Sequence, residues 1–194
     1  MSVPEALEQA VETGDNKLTA IYIAVLAVLL AICSISDDDA SKTAVRANIQ
    51  AADTYAFFQA KNIRQTDYEI ATDLFEAQLK NPALNAETRN YLNERISAYR
   101  ARVARYDSEP ATGEGKKELL EKARRLEAER DLALSRDPYF DLGQGLLQIA
   151  IVLASVSLII GGSFMLIVSA ALGTVGTLSM INAFLLVVQV PFLT

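Results

Sequence analysis

Asp37, Asp38 and Asp39 form the densest set of chemically capable side chains in the sequence. Carboxylate oxygens of this kind hold hard divalent cations, and paired carboxylates serve as general acid and base. Consecutive helical residues point in different directions around the axis, so three in a row do not converge on one ion. Capping and solvation are their expected role, and a membrane-anchored metal-dependent enzyme ranks last among the functional readings. The chain contains no histidine, which removes the commonest general base and metal ligand. Its one cysteine, Cys33, rules out an intrachain disulfide and reads as a small apolar residue within an apolar run. No Gly-rich phosphate loop or paired-histidine helix occurs. No catalytic residue, metal ligand or cofactor is therefore assigned.

A second chemistry is suggested by Arg100, Arg102, Arg105, Lys116, Lys117, Arg124 and Arg125, the kind of cluster that binds phosphates. Residues 36–140 hold 17 basic and 19 acidic side chains, a net charge of −2. Phosphate binding needs a net basic surface, so solvated helix faces with i,i+4 ion pairs are expected and nucleic acid is not. A third set, Gln144, Gln148, Ser155 and Gly162, falls near one helical face of an apolar run. Such residues join helices inside a bilayer, and Gly173, Gly176 and Thr177 suit the same role further along. A channel lined by Gln144, Gln148, Ser155 and Thr177 is the alternative. It lacks the deep ionisable residue that proton relays and ion-coupled transport use.

The elements that carry these residues follow from the segregation of charge. Of 18 Lys and Arg residues, 17 lie within residues 36–140, and no charged side chain follows Asp141. Residues 18–35 are uncharged and long enough to cross about 30 Å of hydrocarbon as a helix. The apolar run from residue 142 is too long for one crossing. Gly161-Gly162-Ser163 divides it into spans at 141–161 and 164–188, before an apolar tail at 189–194. Residues 1–17 form an acidic tail, unlike the basic start of a cleaved signal peptide. Lys42 and Arg46 follow the first span, and Lys122, Arg124, Arg125, Arg130 and Arg136 precede the second. This basic bias places the middle region in the cytoplasm and the N-terminus outside.

The middle region reads as a helical hairpin. Residues 40–80 contain no Pro or Gly, and Asn81-Pro82 ends that helix. Helices at 85–107 and 116–136 return, separated by SEPATGEG at 108–115. Asn85 is a suitable N-cap. Val45, Ile49, Ala52, Ala56, Ile63 and Ile70 are spaced as a heptad seam, and Leu92, Ile96, Tyr99, Val103 and Tyr106 follow a strict 4-3-4-3 stripe. Within the first seam, QAADTYAFFQAKNIRQ places Tyr55, Phe57 and Phe58 around the helix, so that one partner helix cannot cover all three. Lys61, four residues after Phe57, is positioned to lie over its ring.

Residues 49–64, from Ile49-Gln50-Ala51-Ala52 through Tyr55-Ala56-Phe57-Phe58 to Asn62-Ile63-Arg64, resemble a signature of the bacterial domain-of-unknown-function 4337 family. Asp141-Leu142-Gly143 with the following Leu147-Gln148-Ile149-Ala150 is similar to its second signature. The resemblance covers about residues 18–176. It implies a small multi-pass inner-membrane protein with three spans and a helical insert, and supplies no catalytic residues. Gly161-Gly162-Ser163 departs from the basic and aromatic turn expected of the family.

The fold expected is an all-α membrane protein, with three transmembrane helices and a long antiparallel, coiled-coil-like stalk between the first and second. The function expected is structural: a homo-oligomeric scaffold, or an accessory subunit of a larger membrane assembly in the lipid bilayer. Stalk contacts are assigned to Val45, Ile49, Ala52, Tyr55, Ala56, Phe57, Phe58, Ile63, Leu92, Ile96, Tyr99 and Val103. Intramembrane contacts are assigned to Gln144, Gln148, Ser155, Gly162, Gly173 and Gly176.

Overall fold

The computed structural model describes residues 3–160 and 163–188, with side chains from Lys17 onward. These residues form four helices and no strand: α1 (Val3–Leu79), α2 (Ala86–Asp107), α3 (Lys116–Ile160) and α4 (Ser163–Leu185). α1, α3 and α4 are each long and apolar enough to cross a membrane.

α1 is a single helix of 77 residues. The boundary expected between a span ending at residue 35 and a helix starting near residue 40 is not present. No Gly or Pro interrupts residues 15–79, and Asp38 does not cap a new start but pairs with Lys42 one turn on, at 2.5 Å. The acidic tail, from Val3, belongs to the same helix.

α3 likewise joins two expected pieces, running through Pro138. An interior proline costs a helix about 3 kcal/mol. Tyr139 and Phe140, directly after it, are each 2% exposed. Burying a large apolar side chain contributes about 1.5–3 kcal/mol, so these two residues offset the proline and hold the helix together. α4 ends at Leu185 rather than 188. The chain turns at Leu186 (φ 48°), and the Asn182 amide donates to the Val188 carbonyl and accepts from its N–H. Residues 161–162 of the expected Gly-Gly turn and the tail at 189–194 lie outside the described residues.

α1 and α3 each contribute to two compact units, one of Met1–Ala44 with Asp131–Thr194, the other of Val45–Arg130. The first is the apolar unit. Its core comprises Leu26, Cys33, Ala40, Tyr139, Phe140, Leu147, Ala150, Met180 and Ala183, with Phe140 edge-on to Phe184.

The second is the charged unit. Within it α1 buries Ala47, Ala51, Thr54, Lys61, Gln65 and Thr72, with Phe58, Tyr68 and Phe75 half-buried between them. These positions repeat at four- and three-residue steps, the spacing of a coiled-coil seam. Opposite them lie Leu92 and Ile96 of α2 and Leu119 and Ala123 of α3, all buried. Phe75 stacks on Tyr99 and Tyr68 on Tyr106, so the α1–α2 pairs step in opposite chain directions. At the first turn, Arg89 donates to the carbonyls of Leu79 and Asn81, supplying the cation that the last turn of α1 lacks. Asn85 caps α2 by accepting from the Thr88 N–H.

Candidate interaction surfaces

The charged unit separates the assigned stalk residues into two groups. Leu92 and Ile96 are buried, and Tyr55, Phe58, Tyr99 and Val103 are half-buried. Burial and a hydrogen bond to Glu127 hold the Tyr55 phenol above its ordinary pKa. Lys61 has its ammonium 4.9 Å from the Phe57 ring centre and 3.2 Å from a Glu114 carboxylate oxygen. Its buried stem fills the seam while its charged end is satisfied at the rim. Phe57 itself is 39% exposed.

The other group faces outward. Val45 is 60% exposed, Ile49 55%, Ile63 63% and Ile70 54%, and Ala52 and Ala56 are exposed between them. This stripe also has heptad spacing, but it occupies the opposite side of α1 from the buried seam, about 160° around at 100° per residue. α1 therefore carries two seams. The inner one is built from Ala, Thr, Lys, Gln and aromatics and packs within the chain; the more apolar one is left uncovered. Small residues at 47, 51 and 54 let the returning helix approach closely, and the ring stacking of Tyr68 and Phe75 with α2 supplies the apolar area that Val and Ile would otherwise provide.

The 108–115 loop is clasped by charges on both flanks. Lys117 pairs with Asp107 at 2.8 Å, and Glu118 accepts from the Ser108 hydroxyl and the Glu109 N–H. These hydrogen bonds lower the Asp107 and Glu118 carboxyls below their usual range, Asp107 through Lys117 and Glu118 through Ser108. Arg105 does the same for Glu109. Gly115 is required here, because a Cβ would overlap the Glu118 carboxylate and the Glu109 N–H.

In the apolar unit, the contacts between helices are made chiefly by residues other than the Gln144–Gln148–Ser155 face. Gln148 is exposed, Gln144 is half-buried, and the Ser155 and Thr177 hydroxyls donate to carbonyls of their own helices. Gly162 lies outside the described residues. Gly173 and Gly176 are buried. A Cβ on Gly176 would stand 3.0 Å from the Gly143 carbonyl oxygen, and one on Gly143 would stand 3.0 Å from the Gly176 carbonyl oxygen. This close approach of α3 and α4 depends on two glycines facing each other.

A hydrogen-bonded relay missed in the sequence joins α1, α3 and α4, the three helices long and apolar enough to cross a membrane. Ser169 on α4 donates to the Ala150 carbonyl of α3 at 2.6 Å. That commits its only proton, so the Tyr22 phenol of α1 donates to the Ser169 oxygen at 3.2 Å. The spacing of serines along α4 does not single out Ser169; only its 0% exposure does. Further along the same unit, Cys33 donates to the Phe140 carbonyl and Ser179 to that of Tyr139, and Ser41 donates to Asp137. Asp37 is half-buried and is held above the usual carboxylate range by burial, with the neighbouring Asp141 and Asp137 charges adding to it. Among the described residues, no three acidic or cysteine side chains gather as a metal site.

The described residues are all-helical, with four helices of which three have the length and composition to cross a membrane and with charged helical segments between the first and second apolar runs. The chain belongs to the DUF4337 family, a domain of unknown function, whose sequence profile matches residues 15–186. No curated protein and no solved structure matches it significantly.

Proposed function

We propose that the protein is a membrane-anchored scaffold or accessory subunit that associates through its charged helical unit. The observation that carries this reading is the uncovered heptad stripe of Val45, Ile49, Ala52, Ala56, Ile63 and Ile70. An aqueous helix face of this composition is a protein-binding surface rather than a solvated one. Only 11% of the most apolar window of α1 is buried within the chain, as expected of a helix whose remaining surface meets lipid. In this reading α1, α3 and α4 cross the bacterial inner membrane, and the antiparallel hairpin between the first and second crossings projects into the cytoplasm, where the Lys and Arg bias puts it. The role is structural rather than catalytic. Purification in mild detergent tests it. The expected result is a protein mass above one chain, or a co-purifying membrane subunit. A single chain at all concentrations, with nothing bound, would refute it.

A further inference from the structure

We propose that the outer stripe of α1 pairs with the same stripe of a second copy, parallel and in register, as a two-stranded coiled coil over residues 45–70. This rests on the scaffold reading above and specifies its partner. Written as heptads, Ile49, Ala56, Ile63 and Ile70 occupy one core position, and Val45, Ala52, Gln59 and Thr66 the other. All of these are exposed. Two copies inserted the same way in one bilayer send α1 out in the same direction, which selects the parallel arrangement. A two-fold interface also requires residues at the axis to meet themselves. Here Ile49, Ile63 and Ile70 do so as self-complementary apolar layers.

The polar residues fix the register. In-register pairing sets Gln59 against Gln59, where each amide is both donor and acceptor, and Thr66 against Thr66, whose hydroxyl donates to the Asn62 carbonyl of its own helix and leaves its methyl and oxygen to face the partner. A slip of one heptad sets Gln59 against Ala52 or Thr66 instead. A polar core position of this kind specifies register at some cost in stability. The flanks agree with it. In a parallel pair, the residue before one core position meets the partner's residue five places on. Asn48 then meets Asp53, and Asn62 meets Asp67, all four exposed. Within the chain, the Asn62 side-chain oxygen accepts from Lys116 and the Asn48 oxygen from Arg130. That orientation leaves both amide NH2 groups to donate to the partner's carboxylates. The seam closes at Asp73, where self-pairing would oppose two carboxylates.

Cysteine crosslinking in native membranes tests the register. Cys33→Ser removes the one native thiol and retains a donor for the Phe140 carbonyl. Ile49→Cys, Gln59→Cys, Ile63→Cys and, on the exposed face of α2, Asn90→Cys are then introduced singly and oxidised. The proposal expects crosslinked dimer at positions 49, 59 and 63, at least ten-fold above position 90. Crosslinking at 59 alone would overturn it in favour of an antiparallel pair centred there. Equal yields at all four positions would overturn it as random collision. Failure at 49 and 63 in a protein that still runs above one chain in detergent would sink this interface and leave the scaffold reading standing. Failure together with a single-chain mass would sink both.

Discussion

Replacing Gly176 with alanine tests the approach of α3 to α4 when it is compared with the same change at Gly145. Both glycines are helical, and alanine is favoured over glycine in a helix by about 1 kcal/mol. Their surroundings differ. A Cβ at Gly145 meets nothing within 4 Å, whereas at Gly176 it lies 3.0 Å from the Gly143 carbonyl oxygen, 3.1 Å from the Leu146 Cβ and 3.2 Å from the Leu147 Cγ. Ordinary contact begins near 3.4 Å, so the helices must separate by about 0.4 Å. The nearest atom is backbone and cannot rotate away. Overpacking of a tight core costs about 1–3 kcal/mol. Gly145→Ala is therefore expected to stabilise by about 1 kcal/mol, and Gly176→Ala to range from neutral to about 2 kcal/mol destabilising. The difference of about 1–3 kcal/mol isolates the packing cost, because the helix-propensity gain is common to both. Equilibrium unfolding in mixed micelles, followed by helical circular dichroism, measures it. If Gly176→Ala is as stabilising as Gly145→Ala, the close glycine contact is wrong.

Three further outcomes are expected. In a double-mutant cycle of Tyr22→Phe and Ser169→Ala, unfolding should report a favourable coupling of about 0.6 kcal/mol, typical of hydrogen bonds between membrane helices; no coupling would refute the relay. Asp37→Asn should raise the melting temperature at pH 7. The raised carboxyl makes the native state hold its proton more tightly than the unfolded chain, so ionised Asp37 destabilises at neutral pH, and this cost disappears as pH falls below its unfolded value near 4; the gain should therefore fade by pH 3. The opposite sign applies to Asp107, Glu109 and Glu118, whose carboxyls are lowered. Their stabilisation is full above about pH 4.5 and is lost as pH falls through their folded values. Hydrogen exchange at residues 108–118, corrected for intrinsic rates, should then rise, and Glu118→Gln should raise it at pH 7.

Much of the fold was legible because composition alone separates lipid-suited from water-suited helix. The break at Asn81-Pro82 and the loop at 108–115 coincide with the gaps between α1, α2 and α3, whereas the start of the uncharged run at Asp141 lies inside α3. Local signals failed where tertiary burial outweighed them. The helix expected to end at residue 136 instead runs on through Pro138, where Tyr139 and Phe140 are buried, and the start expected near residue 40, after Asp37–Asp39, is absent because α1 passes through them. The candidate surface was legible in its residues and spacing but not in its direction. Apolarity ranks Val45, Ile49 and Ile63 above Ala47, Ala51, Thr54 and Lys61. The chain nevertheless packs the second set inward, where small residues admit a neighbouring helix and a long aliphatic stem ends in a satisfied charge. Sequence spacing identifies both seams; only burial tells which of them the chain itself has filled.

The most direct test is the mass of the full-length protein in mild detergent, measured by light scattering for the natural sequence and for the Ile49→Asp/Ile63→Asp double variant. Both side chains are more than half exposed, so the variant should retain its helical content. The natural sequence should run as two chains and the variant as one. A natural protein that is already a single chain, or a variant that keeps the natural mass, would contradict the assignment of the outer α1 stripe as the association surface.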